Sequence, residues 1–488
     1  MEIIDIEDQS ILSTFSPGFG GTSIPEWIKP WLDNGLGSIT LFGSNTPTLE
    51  STQQLILELR SYNPDLVIAI DEEGGDVTRL FVREGSRYPT PALLGKCDDE
   101  ELTYSSYYSM GTLLRELGVN LTYAPVADVV AVHNNPIVGV RSFGTTADLV
   151  TRHVVQAVSG LQDAGVGACI KHFPGHGAVV EDSHHSLPHI KMSKAEYETG
   201  HVSPFKKAIA RGVSAVMVGH LVVDSLDADN AASLSPMIQG EYLRGVLGFK
   251  GLIVTDALDM GALGGVPRIQ ESALQALLAG SNMLCFSGLG DQSQIVEASL
   301  LRIKDALIAG EISSNYLEGL ARSVRDFNGK NAIKVKKVND LNFNKLASGM
   351  EISGSVDLIN PDINLIEIGT RPTIAAGDVS WGIHRELRTA GVKFEIHASD
   401  SESAQKSDKQ LVVAFRDAYR DSQLLSTLQN LQNRKPDAIF IDMGWPTLEF
   451  TPQNLIRSYG SSAVISRAVV SIINTQLRID RFPQWGAS

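Results

Sequence analysis

Short hydrophobic runs recur along the first 300 residues, and each run ends in polar residues before a helical pattern begins. The runs show no alternation of polar and apolar positions, which is typical of strands buried on both faces of a parallel sheet. Helical patterns such as residues 52–62, 100–117 and 271–279 lie between them. The predicted strands are residues 11–19, 37–43, 66–71, 119–125, 166–172, 214–220, 252–256 and 281–286.

Eight strand–helix units in succession predict an α/β fold of the TIM-type (β/α)8 barrel, with an open doubly wound sheet as the alternative. A polar, lysine-bearing stretch at residues 328–344 then interrupts the pattern. Further short apolar runs follow at residues 364–368, 394–397, 411–415 and 438–441, and helical patterns separate them. We therefore predict a barrel over residues 1–335, a linker over residues 336–360 and a smaller α/β domain over residues 361–488.

Composition narrows the class of partner. The chain has 488 residues, of which 43% are hydrophobic and 20% charged, as in ordinary globular proteins. Its net charge of −15 disfavours nucleic acid and anionic membranes, because their phosphates would be repelled. No apolar stretch has the roughly 18 residues of a membrane span, and the first residues lack the pattern of a secretory signal. These features predict a cytoplasmic protein that acts on a small substrate. A monomer or homodimer is the expected state, although composition does not decide between them.

Polar residues stand at the ends of several predicted strands, where the loops of a barrel carry its chemistry. An Asp in such a place is often only the N-cap of the next helix. Several polar strand ends on one rim favour a functional site over that simpler explanation. The residues concerned are Asp71, Lys171, His172, His220 and Asp256.

A long loop follows the predicted strand at residues 166–172. Residues 170–193 (IKHFPGHGAVVEDSHHSLPHIKMS) contain glycines and prolines that exclude a helix, and Ser193 with Glu196 predicts the start of the next helix as a capping box. Loops of this length are usually functional. Residues two apart in an extended chain point the same way, so Asp182 can hold one ring nitrogen of His184. A carboxylate–imidazole pair of this kind transfers protons near neutral pH.

The same loop allows other interpretations. Its histidines could bind a metal ion, or they could belong to a solvated loop without function. Because the histidines lie on a loop interrupted by Pro and Gly, and no cysteine cluster accompanies them, we predict neither a metal nor a cofactor. The histidines are His172, His176, His184, His185 and His189.

The segment KHFPGHG at residues 171–177, followed by DSH at residues 182–184 and by Pro188, resembles the β-N-acetylhexosaminidase branch of glycoside hydrolase family 3. Other segments resemble the same family in the same order, and together they span roughly residues 10–330. They are residues 18–22 (GFGGT), 71–75 (DEEGG), 123–128 (YAPVAD), 135–136 (NP), 141–144 (RSFG) and 252–260 (LIVTDALDM).

The resemblance implies a TIM-type barrel and a role for each matching position. Asp256 would be the nucleophile, and His184 would be the general acid/base, supported by Asp182. The hydroxyl groups of the terminal sugar would be held by Asp71, Arg141, Lys171 and His172, and Asp128 would support the site. The chain departs from the family pattern at Asp76, where Arg is usual, at Asn282, where Asp is common, and at residues 145–147 (TTA).

The resemblance further implies a retaining hydrolase that releases terminal β-linked N-acetylglucosamine through a covalent intermediate on Asp256. Ala257 follows the nucleophile where the β-glucosidase branch usually has Trp, which favours an N-acetylglucosaminide over a glucoside. Peptidoglycan fragments (muropeptides) or chitooligosaccharides are the expected substrates. Phosphorolysis stays open, because a neutral imidazole acid/base does not repel phosphate. A non-catalytic sugar-binding barrel is disfavoured, since Asp256, Asp182 and His184 are all present.

Overall fold

A computed structural model describes residues 6–133, 135, 137–179, 183, 186–288, 290–327, 333–334, 343–360 and 362–474. The chain divides into two compact units. Unit 1 comprises Met1–Glu73, Thr103–Asn135 and Thr145–Lys337, and unit 2 comprises Gly74–Leu102, Pro136–Gly144 and Val338–Ser488. Two short segments of the predicted barrel range thus belong to unit 2, and the predicted domain boundaries stay a prediction.

Unit 1 is built on a curled parallel sheet. Its strands are β1 (Phe15–Ser16), β2 (Ser38–Leu41), β3 (Val67–Ile70), β4 (Leu121–Thr122), β5 (Gly167–Phe173), β6 (His189–Ile190), β7 (Ala215–Val218), β8 (Val222–Val223), β9 (Leu252–Thr255) and β10 (Leu284–Cys285). The main sheet has the order β2-β3-β4-β5-β7-β9, and all its neighbours are parallel. Two smaller parallel sheets join β1 to β10 and β6 to β8.

Backbone hydrogen bonds connect the β1–β10 pair to both edges of the main sheet. The amide of Thr255, at the end of β9, donates to the carbonyl of Met283 at 3.0 Å. On the other side, the amide of Thr40 in β2 donates to the carbonyl of Pro17 at 3.1 Å. Side chains on or next to the strands β3, β4, β5, β7, β9 and β10 meet in one buried core. That core includes Val67, Leu121, Tyr123, Cys169, Met217, Val254, Met283 and Cys285.

Helices alternate with these strands, and their ends carry the expected signals. Thr48 caps the helix Leu49–Tyr62 by accepting from the amide of Ser51, and Ser193 and Glu196 form a complete capping box. The α-helices assigned to unit 1 are Ile6–Ser13, Lys29–Asp33, Leu49–Tyr62, Ala147–Asp163, Lys194–Tyr197, Ser203–Ala210, Ile269–Ala279, Gln292–Ala309 and Ser314–Arg325, and Glu100–Leu117 begins in unit 2 and continues into unit 1. π-helices span Glu198–Val202 and Met237–Val246.

Unit 2 has its own, mostly parallel sheet. Its strands are β11 (Glu351–Ser353), β12 (Asp362–Gly369), β13 (Lys393–His397), β14 (Gln410–Arg416), β15 (Ile439–Asp442) and β16 (Leu455–Arg457). They lie in the order β11-β16-β15-β14-β12-β13, and only β11 is antiparallel to its neighbour among these described strands. The α-helices assigned wholly to this unit are Pro91–Cys97, Phe343–Ser348, His384–Thr389, Glu402–Lys406, Ser422–Arg434 and Ala463–Ile473.

The prediction of an α/β fold with a parallel sheet is confirmed. Each predicted strand run in unit 1 contains a strand, and the first run also covers the end of the helix Ile6–Ser13. The predicted helix at residues 100–117 has the same bounds in the structure. In unit 2, each predicted run lies within or overlaps a strand, and the strands β11 and β16 were not predicted. Within the described residues, every helix is too short or too polar to cross a lipid bilayer.

Candidate active site

Polar side chains gather at the carboxyl ends of neighbouring strands in unit 1. Asp71 directly follows β3, Lys171 and His172 lie near the end of β5, and Asp256 directly follows β9. Asp128 lies in the segment after β4, and β4 lies between β3 and β5 in the sheet. Because parallel neighbours end at the same edge, these residues share one rim of the curled sheet.

Lys171 is clamped between two carboxylates. Its Nζ lies 2.6 Å from Oδ1 of Asp71 and 2.6 Å from Oε1 of Glu73. The side chains of Lys171 and Glu73 are only 3% and 1% exposed, whereas that of Asp71 is 20% exposed. Asp71 is therefore the member of this triad that can accept a hydrogen bond from a ligand, and the two buried partners fix its position.

Asp128 anchors the segment that follows β5. Its carboxylate accepts from Nδ1 of His172 at 2.7 Å and from the amide of His176 at 2.7 Å. Burial alone would raise the pKa of Asp128, but the nearby His172 and His176 outweigh it and hold that pKa below its ordinary value. An ionised Asp128 requires the proton of His172 to sit on Nδ1, so Nε2 is the nitrogen directed away from the anchor.

The glycine at the end of the KHFPGHG segment is required by close packing. A Cβ atom at Gly177 would lie 1.9 Å from the carbonyl oxygen of Val129. The carbonyl of Gly177 in turn accepts from the amide of Ala131 at 3.0 Å. The backbone after β5 is thus pressed against the backbone after β4, as only glycine permits.

Asp256 is held from two sides at the end of β9. Its Oδ1 accepts from the amide of Ala257 at 2.8 Å, and its own amide donates to the carbonyl of Val218 at 3.0 Å. His220 is buried behind it, where Nε2 donates to the carbonyl of Ala257 at 2.9 Å and Nδ1 lies 2.7 Å from Oγ of Ser233. His220 is therefore a positioning residue for the turn that carries Asp256.

His176 is buried beside this anchor without polar contacts of its ring. Its side chain is 2% exposed, and among the described residues neither ring nitrogen has a hydrogen-bond partner. Burial lowers the pKa of His176 to about 4, against the opposing effect of the Asp128 carboxylate. The ring is therefore neutral at physiological pH.

This buried neutral ring predicts acid sensitivity. Between pH 6.5 and about 4 the unfolded chain takes up a proton at His176 that the folded chain does not, so the free energy of unfolding falls as the pH is lowered through that window. The expected loss is roughly 3 kcal/mol, from about 1.4 kcal/mol per pKa unit. In His176→Leu, urea unfolding measured at several pH values should show a weaker pH dependence than in the parent protein. His189→Leu, at an exposed position, is the control; an unchanged slope in His176→Leu would contradict the prediction.

The structure brings some of the predicted residues together and leaves others unplaced. Asp71, Lys171, His172 and Asp256 lie on the rim of unit 1 described above. Arg141 belongs to unit 2, where it is buried and its Nη1 donates to the carbonyl of Ile137 at 3.2 Å. The predicted acid/base pair, Asp182 and His184, lies outside the described residues, so its geometry stays a prediction.

Glu73 belongs to the site but was not among the predicted site residues. The sequence signal was present, because Glu73 stands two residues after Asp71 in a chain continuing from β3, and residues two apart point the same way. His220 was recognised as a polar strand end, and its contact with the turn after Asp256 appears only in the structure. Among the described residues, no cluster of three or more His, Cys, Asp or Glu has the arrangement of a metal site.

One departure from the family pattern has a clear structural role. Asn282 is buried, and its Oδ1 accepts from Nη2 of Arg244 at 2.7 Å and from the amide of Ile253 in β9 at 2.9 Å. An Asp could accept the same two hydrogen bonds. Asn282 therefore ties the start of β10 to β9 without changing the rim.

A curled parallel sheet with carboxylates and a clamped lysine at the carboxyl ends of its strands is typical of the active site of an α/β enzyme. The family described as Glycosyl hydrolase family 3 N terminal domain matches residues 22–326. The chain belongs to glycoside hydrolase family 3.

Within this family, the chain is similar to several individual proteins. The chain is 34% identical over 261 residues to a protein named Beta-hexosaminidase from Neisseria meningitidis serogroup B, covering 52% of this chain and 72% of the relative. It is similar over 98% of both chains to the structure of a family 3 beta-N-acetylglucosaminidase from Paenibacillus sp. str. FPU-7, with 27% identity and a TM-score of 0.85. A structure of NagZ from Neisseria gonorrhoeae in complex with N-trifluoroacetyl-D-glucosamine shares 28% identity, covering 64% of this chain and 97% of that one, with a TM-score of 0.54.

Proposed function

We propose that this protein is a retaining, exo-acting β-N-acetylhexosaminidase that releases terminal β-linked N-acetylglucosamine. Asp256 attacks the anomeric carbon and forms a covalent glycosyl ester, while His184, supported by Asp182, protonates the leaving oxygen. The imidazole then removes a proton from water, which hydrolyses the ester. The observation that carries this proposal is the carboxylate of Asp256, fixed by the Ala257 amide on the same rim as the Lys171 clamp.

Recognition of the sugar rests on the buried polar residues of the rim. Asp71 accepts from a hydroxyl group of the terminal sugar, and Lys171, whose Nζ lies 2.6 Å from its Oδ1, holds that carboxylate in place. His172, fixed by Asp128, presents Nε2 to a further hydroxyl. Arg141 is assigned a sugar hydroxyl on the family resemblance alone. Because such polar groups are costly when left unpaired, they select sugars that carry every matching hydroxyl.

We infer that the strands of unit 1 form a closed TIM-type (β/α)8 barrel, followed by a smaller α/β domain. The backbone links from β9 to β10 and from β1 to β2 support closure, because they place the β1–β10 pair between the edges of the six-stranded sheet. In such a barrel the rim described above is the catalytic end. Similarity over 98% of the Paenibacillus chain supports a second domain that belongs to the same enzyme architecture.

Two observations favour an N-acetylglucosaminide as the substrate: the names of the relatives, and Ala257 at the position after the proposed nucleophile. The relatives are named for hexosaminidase or N-acetylglucosaminidase activity, and one was solved with an N-acylated glucosamine. Peptidoglycan fragments and chitooligosaccharides are the natural candidates, the former if the protein acts in the cytoplasm on recycled cell wall. β-Glucoside hydrolysis and phosphorolysis are the competing activities that an experiment must separate.

The test is to incubate the protein with p-nitrophenyl β-N-acetylglucosaminide and with the β-glucoside, each with and without inorganic phosphate. We expect nitrophenol release from the N-acetylglucosaminide to be faster by about two orders of magnitude or more. The product should be free N-acetylglucosamine, first formed as the β-anomer by NMR, with or without phosphate.

Formation of a sugar 1-phosphate that depends on added phosphate would show that the enzyme is a phosphorylase and would reject the hydrolase assignment. A preference for the glucoside would reject the hexosaminidase assignment, and first release of the α-anomer would reject the covalent mechanism.

A further inference from the structure

Unit 2 contains a small pocket at the carboxyl ends of two of its own strands. The chain passes from β12 to β13 on one side and then returns to β14 on the other side of β12. This pocket of about 40 Å3 is lined by residues that include Pro372 and Thr373, which follow β12, and Arg416, Asp417, Tyr419 and Arg420, which end and follow β14. Doubly wound sheets bind ligands at such a point, where the strand order reverses.

Arg416 is a buried cation with few hydrogen-bond partners, and it lines this pocket; its guanidinium also lies over the ring of Trp381, 4.9 Å from the centroid. Its side chain is 7% exposed, and among the described residues its Nε has no hydrogen-bond partner. Its Nη1 donates one long hydrogen bond, of 3.4 Å, to Oγ of Ser461. The nearest carboxylate oxygens, of Asp417 and Asp76, lie 3.9 and 4.0 Å away. A buried guanidinium normally satisfies most of its five N–H groups, so this arrangement leaves donors for a ligand.

The charge around the pocket favours an anion. Its described lining includes the guanidinium groups of Arg141, Arg416 and Arg420 and the carboxylates of Asp76 and Asp417, so cations exceed anions by one. Oδ1 of Asp76 accepts from the amide and Oγ of Ser461 at 3.2 and 3.0 Å, while its Oδ2 lies 4.0 Å from Nη1 of Arg416, too far for a hydrogen bond. Burial raises the pKa of Asp417, which weakens the competition from that carboxylate.

The volume limits the ligand to a small one. A water molecule needs roughly 10–15 Å3 of such space, so the pocket has room for a few waters or one compact oxyanion but not for a sugar ring. A tetrahedral oxyanion presents several acceptor oxygens, which is what a guanidinium fork recognises. Pairing with an oxyanion would also supply the acceptors that Arg416 lacks.

We propose that unit 2 binds a small oxyanion of the phosphate class at the switch point of its sheet, with Arg416 as the principal ligand and Arg420 at the pocket edge. The anion arrives either as free inorganic phosphate or as the phosphoryl group of a sugar phosphate whose ring stays outside. This site does not depend on the proposed hydrolase activity, and its binding equilibrium is measured without turnover.

The experiment titrates the full chain by calorimetry with inorganic phosphate, with N-acetylglucosamine 6-phosphate and with N-acetylglucosamine, at constant ionic strength set with sodium chloride. We expect phosphate to bind. N-acetylglucosamine without a phosphoryl group should not compete with phosphate for this site. Arg416→Gln should weaken phosphate binding by about tenfold or more, the effect of losing charge-assisted hydrogen bonds. Competition by the sugar phosphate would identify it as a source of the anion; lack of competition would leave free phosphate as the ligand.

Arg434→Gln is the matched control, because Arg434 lies on the exposed end of the helix Ser422–Arg434 in the same unit. It removes the same charge and should leave the phosphate affinity unchanged. If Arg416→Gln fails to fold by circular dichroism, Arg416→Lys and Arg420→Gln replace it, and each should weaken binding several-fold. Absence of phosphate binding in the parent chain, or equal affinity in the Arg416 or replacement variants, would overturn the proposal.

Discussion

Asp256→Asn should lower kcat for the N-acetylglucosaminide by about four orders of magnitude or more, since the covalent route is lost with the attacking carboxylate. The substituted side chain keeps an Oδ1 that accepts from the Ala257 amide, so the turn after β9 should keep its shape. Thermal unfolding should therefore occur at nearly the same temperature as in the parent protein. Steady-state kinetics and a thermal scan on the same preparation measure both effects.

Asp259 supplies a control for the same turn. Its carboxylate accepts from the amide of Ser287 at 3.2 Å and from the Ser287 hydroxyl, so Asp259→Asn removes a neighbouring charge while leaving Asp256 in place. We expect its kcat to stay within about tenfold of the parent, as for a substitution away from the reacting atoms. More than about one per cent of parental turnover in Asp256→Asn would reject Asp256 as the nucleophile. Equal inactivity of both variants would instead assign the effect to the turn as a whole.

A second measurement tests directly whether the covalent intermediate forms on Asp256. Rapid quenching of the parent enzyme with substrate should give a peptide containing Asp256 that carries the mass of one N-acetylglucosamine residue, because a retaining mechanism forms a glycosyl ester. The Asp256→Asn protein should give no such peptide. Labelling of a different carboxylate would move the nucleophile to that residue.

Local sequence patterns predicted the strands and the ends of the helices well. Buried strands of a parallel sheet require continuous apolar residues, so β5 and β9 were found within one residue at either end. The capping box at Ser193 and Glu196 was predicted because both of its hydrogen bonds join residues three apart in the chain. The pair β6 and β8 was missed, because it joins two short segments that are separated in the chain, and no local pattern records their pairing.

Local sequence patterns could not predict contacts between distant parts of the chain. Glu73 and Lys171 are distant in the chain, so the alignment of Glu73 with Asp71 could be read from the sequence but its partner could not. The assignment of residues 74–102 and 136–144 to unit 2 is of the same kind, because a division by sequence position cannot detect packing between separated segments. Resemblance supplied the role of Asp128 as a supporting residue; the structure supplies the reason, which is its hold on His172 and His176.

The second large effect concerns the lysine clamp, and here both stability and activity should fall. Lys171→Met removes the cation that lies 2.6 Å from both Asp71 and Glu73, and it leaves the Glu73 carboxylate, which is 1% exposed, without that partner. Removing one member of a buried ion pair costs about 3–5 kcal/mol, because the remaining charge is left desolvated. We expect a lower urea midpoint and a loss of kcat/KM through misplacement of Asp71, measured by unfolding and by steady-state kinetics.

Two further variants separate the charge from the geometry. Lys334→Met removes a lysine that pairs with Asp163 at a similar distance, 2.7 Å, but is 68% exposed, and exposed pairs contribute only about 0–1 kcal/mol. It should leave stability and turnover almost unchanged. The double variant Lys171→Met/Glu73→Gln neutralises the stranded carboxylate, so it should recover much of the lost stability while kcat/KM stays low, because Asp71 still lacks its lysine. Recovery of both quantities together would mean that Lys171 serves only to balance Glu73, and an unaltered urea midpoint in Lys171→Met would mean that the clamp does not exist in solution.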